Sequence, residues 1–402
     1  MKKLLLISTV FLGLTVAHKQ TNAQDTWTQK ANFGGSARWG ACGFSIGNYG
    51  YIGTGKDASS DLSDFWQWNQ STDSWTQKAS VTGARHEALV FAVGNKGYIF
   101  GGTNGSYLND VWEYDPASNT WTAKASFPST GRRSPASFTI GNKAYVGTGK
   151  DGSVPSESDW YEFDPALNTW TPKANFLGTG RSGAVGFAIG TKGYVRTGND
   201  NSSNYSSSDF WEYDQSNNAW TQKASLPGSE RRVAGGFAIG GVGFICTGWD
   251  GTSYFTDLWE YNQSTNSWTA RANFQGAGRY TPVAFSIGGY GYIGTGATPS
   301  LTNDFWEYHS LYVGIEEEIS QTTISIFPNP FSTQTTLQTD IFLHNATLTV
   351  DNCFGQTVAQ IKNLNGQTIF FNRDNLSSGL YFVRLTQDNK VIAVDKLVIV
   401  DN

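Results

Sequence analysis

Six arginines recur along the chain: Arg38, Arg85, Arg132, Arg181, Arg231 and Arg279. Each follows, by 10 or 11 residues, the tryptophan of a W-T-x-[KR]-A segment. A planar guanidinium with its fork of donors suits carboxylates. A second set of candidates lies in six polar segments: KDASSDLS, TNGSYLN, KDGSVPSES, NDNSSNYSSS, WDGTSYFT and ATPSLTN. These hold Tyr107, Tyr205, Trp249 and Tyr254. Aromatic faces among hydroxyls and amides suit a sugar ring or a peptide.

A plainer role for the arginines competes with ligand binding. Glu113, Glu162, Glu212, Glu260 and Glu307 recur as regularly, with Gln67 at that place in the first repeat. A carboxylate in a buried strand needs a partner, and the arginines are candidates. Asp57, Asp151, Asp200 and Asp250 stand at the start of polar segments, where turn formation accounts for them. No dense carboxylate loop of the calcium-binding kind is visible. No Ser-His-Asp set or metal-ligand spacing appears, so neither metal nor cofactor is expected.

The positioning elements follow from the repeat. Trp27, Trp75, Trp121, Trp170, Trp220 and Trp268 are spaced by 46 to 50 residues, a period typical of propellers. After each arginine comes an alternating stretch. In one copy Val185, Phe187 and Ile189 take one side and Ala184, Gly186 and Ala188 the other. Period-two alternation means a strand, and small residues mean a close approach. We name this strand a, innermost in a blade. Strand b carries a Tyr-Ile-like step into a Thr-Gly-like end, strand c reads DFWEY or similar, and strand d is the W-T-x-[KR]-A segment.

From arginine to the glycine closing strand b is 17 residues in every repeat. Nearly all length variation falls between strands b and c. The b–c and d–a loops share one face of such a blade, so this variable face, beside the arginines, is the expected binding face. The strands run d, then a-b-c-d five times, then a-b-c. The reading therefore predicts that residues 26–31 pair with 304–308, closing the ring and covering a raw sheet edge.

Residues 27–308 resemble the kelch family. The resemblance rests on the arginine before strand a, the glycine-rich end of strand b, the YDP-like residues after strand c and the tryptophan of strand d. Gly101-Gly102 keeps the family's paired glycine, whereas other repeats read Thr-Gly, as at Thr54-Gly55. It implies an all-β, six-bladed kelch-like β-propeller closed by the N-terminal strand. In some kelch adaptors arginines at this place grip acidic ligands, so a ligand role is implied for the six arginines. Kelch copper radical oxidases need two histidines at one site. Here His86 and His309 lie in different repeats. Some six-bladed bacterial kelch proteins are epimerases of sialic acid, and Arg/Glu pairs would supply the charge such an enzyme needs.

The ends of the chain speak to export. Residues 1–23 read as a secretory signal, with Lys2 and Lys3, an apolar stretch from Leu4 to Ala17, and Thr21-Asn22-Ala23 before the cut. No other stretch is apolar enough to span a membrane. The propeller is expected over 24–310 and a linker with Glu316-Glu317-Glu318 over 311–323. Residues 324–402 alternate as a small C-terminal β-sandwich. This tail resembles the type A C-terminal sorting domain of the Bacteroidetes type IX secretion system. The matching parts are Pro328-Asn329-Pro330, Asp351 with Gly355, Gly379-Leu380-Tyr381-Phe382 and Lys396-Leu397-Val398. It implies handling by the type IX translocon through residues 324–402; a carbohydrate-binding or adhesion sandwich is the alternative.

Composition agrees with this class. A net charge of −5 without basic clusters argues against nucleic acid. Three cysteines make no disulfide framework, and Cys42, Cys246 and Cys353 are expected as free buried thiols. The sequence thus reads as an exported binding propeller for an unidentified glycan or protein, the alternative being a sugar-modifying enzyme.

Overall fold

Each repeat folds into a four-stranded antiparallel sheet of five-residue strands, and six such sheets form the propeller. The computed structural model describes residues 25–152, 156–200, 207–310, 324–352, 357–387 and 390–401. The expected signal segment, Tyr205, the linker and Cys353 lie outside them. Blade one shows the plan: strand a is Cys42–Ile46, b Tyr49–Gly53, c Phe65–Asn69 and d Ser74–Lys78. Cys42 and Cys246 are free and buried, as their strand positions predicted.

The ring closes as the strand order requires. Thr26–Lys30 is the outer strand of blade six, paired antiparallel with Phe305–His309. The register sets Thr26 opposite His309 and Lys30 opposite Phe305. Trp27 is only 5% exposed, packed on Phe274 and Tyr308.

The W-T-x-[KR]-A segment also joins neighbouring blades. Each of its tryptophans donates its indole N–H to the alanine carbonyl that ends the same motif one blade earlier. Trp121 reaches Ala79 at 2.9 Å and Trp268 reaches Ala224 at 2.8 Å. Trp27 reaches Ala272 at 3.0 Å, and Trp75 reaches Ala31 at 3.0 Å, so the joint passes the chain ends without a break. The N–H of the same alanine is held from a c–d turn, as by Asn119 for Ala79.

Close packing between blades explains the Gly-Tyr step of strand b. The ring of Phe44, in strand a of blade one, lies over Gly97 of blade two, where a Cβ would come within 2.1 Å of it. Phe187 covers Gly243 in the same way. Such burial contributes about 1.5–3 kcal/mol per large apolar side chain. The strand a residues line an axial channel of about 180 Å³, walled by small groups such as Ala41, Gly43, Ala184 and Ala284.

The C-terminal unit is described by itself. Ile324–Phe327, Gln334–Asn352, Thr357–Asn372, Gly379–Gln387 and Lys390–Ile399 form one five-stranded sheet. Pairing between its two longest strands shifts register repeatedly near Leu343 and Ala346. Phe331 bridges Ile399 at the far edge. The sheet thereby wraps one core that includes Leu337, Leu348, Val383 and Leu397. The Asn329 side chain binds the final strand twice, donating to the Lys396 carbonyl and accepting from the Val398 N–H, both at 2.8 Å. Two motifs far apart in sequence are thus one contact.

Candidate functional site

The six arginines do not face a ligand. Each is at most 2% exposed. Each places its guanidinium fork on the aspartate just before strand c of its own blade: Asp64, Asp110, Asp159, Asp209, Asp257 and Asp304. Arg85 donates from Nη1 to Asp110 Oδ1 at 2.6 Å and from Nη2 to Oδ2 at 2.8 Å. Its Nη1 also reaches the Gly101 carbonyl at 3.0 Å, and Nε reaches Gly83 O at 3.2 Å. Phe33, Phe127, Phe176 and Phe274 lie under the guanidinium groups of Arg38, Arg132, Arg181 and Arg279. Every guanidinium nitrogen is hydrogen-bonded inside the blade, so Arg38, Arg85, Arg132, Arg181, Arg231 and Arg279 are corrected from ligand groups to clamps between the d–a loop and strand c.

The glutamates are corrected too. Each binds the strand d cation of its blade rather than one of these arginines, and in blade two Tyr98 also donates to Glu113 at 2.6 Å, with Lys124 3.0 Å from it. The aspartates escaped notice because they read as the start of the strand c motif. Their fixed place before every DFWEY-like segment was the available signal.

On the b–c loop side stands the residue after each arginine: Trp39, Arg133, Ser182, Arg232 and Tyr280, partly exposed, and His86, buried. Each bridges back to the first residue after the strand b glycine, as Trp39 does to Lys56 and Arg232 to Trp249. The next residues, Gly40, Glu87, Ser134, Gly183, Val233 and Thr281, all take positive φ. Their backbones link blade to blade around the channel mouth. Glu87 N–H donates to Gly40 O, Ser134 to Glu87, Gly183 to Ser134, Val233 to Gly183 and Thr281 to Val233, at 2.8 to 2.9 Å. Gly40 N–H closes the circle on the Thr281 hydroxyl at 3.1 Å. For Val233 and Thr281 this conformation is strained, and such strain clusters at functional positions.

A circle of repeated backbone therefore carries five different side-chain types at its six positions. Blades five, six and one present aromatics. Tyr254 stacks on Tyr280 with ring centres 5.9 Å apart, Trp249 lies 5.9 Å from Tyr280, and Trp39 lies 6.4 Å from it. Arg232 sits over the Trp249 ring at 4.6 Å. Blades two and three present charge: Arg133 binds Glu87 at 2.5 Å, and His86 Nδ1 meets Asp61 at 2.8 Å. Burial, with Tyr254 and Glu87 nearby, raises the Tyr280 phenol above its usual range, keeping it a neutral donor. Between blades six and one a hollow of about 700 Å³ opens over Trp39 and Tyr280. Its wall carries Ser36, Ser59, Thr298 and Ser300.

The expected loop aromatics divide. Trp249 and Tyr254 belong to this cluster. Tyr107 is 38% exposed and packs near Gly152 of the next blade instead. Trp39 and Tyr280 were missed because they sit beside the arginines, outside the loops of variable length. Among the described residues no group of three or more metal-ligating side chains gathers, and no helix is long and apolar enough to cross a membrane.

Comparison with known proteins agrees with this geometry. Residues 84–128 match the Kelch motif, and residues 325–400 match the Secretion system C-terminal sorting domain. The first match falls on blade two, the one with paired Gly101-Gly102. No curated protein matches the chain. A solved structure titled "Structure of YjhT" is similar at 17% identity with a TM-score of 0.56, covering 68% of this chain and 94% of that chain. At that identity the likeness concerns the fold alone. The chain is a six-bladed all-β propeller, one repeat of which matches the Kelch motif, followed by a unit that matches a secretion system C-terminal sorting domain. It is accordingly a secreted or cell-surface protein.

Proposed function

We propose that the exported propeller binds a glycan on its b–c loop face, in the hollow over Trp39 and Tyr280. The observation that carries this reading is the six-membered circle after the arginines, where an otherwise repeated scaffold holds unlike side chains around an aromatic floor. Sugar rings stack on such floors, and the hydroxyl wall supplies hydrogen bonds to sugar hydroxyls. A protein ligand would use the same aromatics as anchors. The enzymatic alternative drew on pairing of the six repeated arginines with the strand c glutamates, whereas these arginines bind the aspartates before strand c, and no observation favours it.

The test is a glycan array probed with wild-type protein and with Trp39→Ala/Tyr280→Ala. Binding to a restricted set of glycans, reduced about tenfold or more in the variant at an unchanged melting temperature, is expected; a loss of 1.4 kcal/mol suffices. Binding that the double substitution leaves intact overturns the site. Absence of glycan binding with capture of a protein through the same residues moves the ligand class to protein.

A further inference from the structure

Five blades carry a carboxylate between strands b and d, and one does not. In blade four Tyr194 donates to Glu212 at 2.5 Å and Lys223 lies 3.4 Å from it. In blade six Tyr292 donates to Glu307 at 2.7 Å, with Lys30 at 3.7 Å. Glu162 holds Lys173 at 2.8 Å in blade three, Glu260 holds Arg271 at 2.9 Å in blade five, and Glu113 holds Lys124 in blade two. Blade one keeps the tyrosine and the lysine, Tyr51 and Lys78, but has Gln67 for the acid. The Gln67 amide reaches the Tyr51 hydroxyl at 2.6 Å. Among the described residues, no carboxylate lies within 4.0 Å of the Lys78 ammonium.

At this place the face of a–b and c–d turns holds a hollow of about 890 Å³. Lys78 is the one charged residue in its wall, alongside Gln67, Tyr49, Gln70 and Asn95. Tyr49 is 40% exposed and offers an aromatic face. The five other blades are internal controls: the scaffold places a carboxylate against the strand d cation, and blade one has the neutral Gln67 there.

We propose that this hollow binds a small organic carboxylate, its carboxylate standing in for the absent glutamate against Lys78 and its ring body lying near Tyr49. A charge-assisted bond from the ammonium supplies the anchor, and the amides of Gln67, Gln70 and Asn95 supply neutral partners. The site is on the opposite face from the Trp39–Tyr280 hollow and is independent of it.

Acetylation of the folded full chain by acetic anhydride, read residue by residue by mass spectrometry, tests this. Lys78 is expected to react faster than Lys124 and Lys223, whose ammonium groups are held by Glu113 and Glu212. Benzoate is expected to slow Lys78 without affecting the other two, and benzamide, its neutral counterpart, to slow none. Gln67→Glu is expected to bring Lys78 to the rate of Lys124 and to remove the benzoate effect. Equal effects of benzoate and benzamide on Lys78 overturn the proposal, as does no effect of either. A benzoate effect that persists in Gln67→Glu overturns it too.

Discussion

Arg85 and Asp110 face each other fork to fork, with both guanidinium ends on both carboxylate oxygens at 2.6 and 2.8 Å. The pair ties the chain entering blade two to the start of its strand c. Removing Arg85 leaves Asp110, whose side chain is 36% exposed, and the buried Gly101 carbonyl without their donor, a loss of about 1–3 kcal/mol. Arg85→Ala is therefore expected to lower the urea midpoint sharply. Arg85→Lys is expected to recover only part of it, because an ammonium cannot fork. An Arg85→Ala protein of wild-type stability would refute the clamp.

Acid is expected to act through the same pairs. Burial alone would raise the carboxyl groups of Asp110, Asp209, Asp257 and Asp304, but hydrogen bonds and charge from their arginines outweigh it and hold them below the ordinary 3.8. A carboxylate with a depressed folded pKa stabilises the fold above its unfolded value and loses that contribution as pH falls through the folded one. Thermal stability is thus expected to be level near neutrality and to drop below pH 3.8. Unfolding scans across acid pH check this, and a level profile contradicts it.

Arg196 is the exception among buried arginines. It ends strand b of blade four, where the other blades have Gly53, Phe100, Gly147, Cys246 and Gly294. It is fully buried, none of its three nitrogens has a hydrogen-bond partner among the described residues, and its near neighbour is the Trp268 ring at 5.5 Å. Burial, with Arg231 close by, pushes its guanidinium well below the usual range. Replacing a buried charge by an apolar group of similar volume often stabilises by about 1–4 kcal/mol. Arg196→Leu is expected to raise the melting temperature; a fall would reveal a stabilising role for this guanidinium.

The N-terminal strand is the last structural test. Trp27→Ala removes the joint to Ala272 and the packing on Phe274 and Tyr308, at a cost of about 3–5 kcal/mol. Deleting Asp25 to Ala31 additionally bares the edge of Phe305–His309. Calorimetry of both is expected to show the deletion melting lower than the point variant. An unchanged deletion midpoint refutes the clasp.

The fold was legible because its signals are local and repeated. Alternation in Val185 to Ile189 marks a strand, and the displaced first copy at Trp27 marks the closing partner. The arginine partners were misread for a geometric reason. In sequence, Glu113 and Asp110 both lie in strand c or beside it. Which of them meets Arg85 depends on where the d–a loop crosses the blade, and strand periodicity does not specify that crossing.

The amino-acid sequence alone determined six blades, their strand order, the closure at Trp27 and the sorting tail, since each follows from spacing along one chain. Only the tertiary structure decided which side chains are free to meet a ligand. Closing the ring draws Trp39, Tyr280, Trp249 and Tyr254 together from both ends of the propeller, and it buries every repeated arginine against its own aspartate. Proximity across blades is a property of the closed circle, and no local pattern in the chain encodes it.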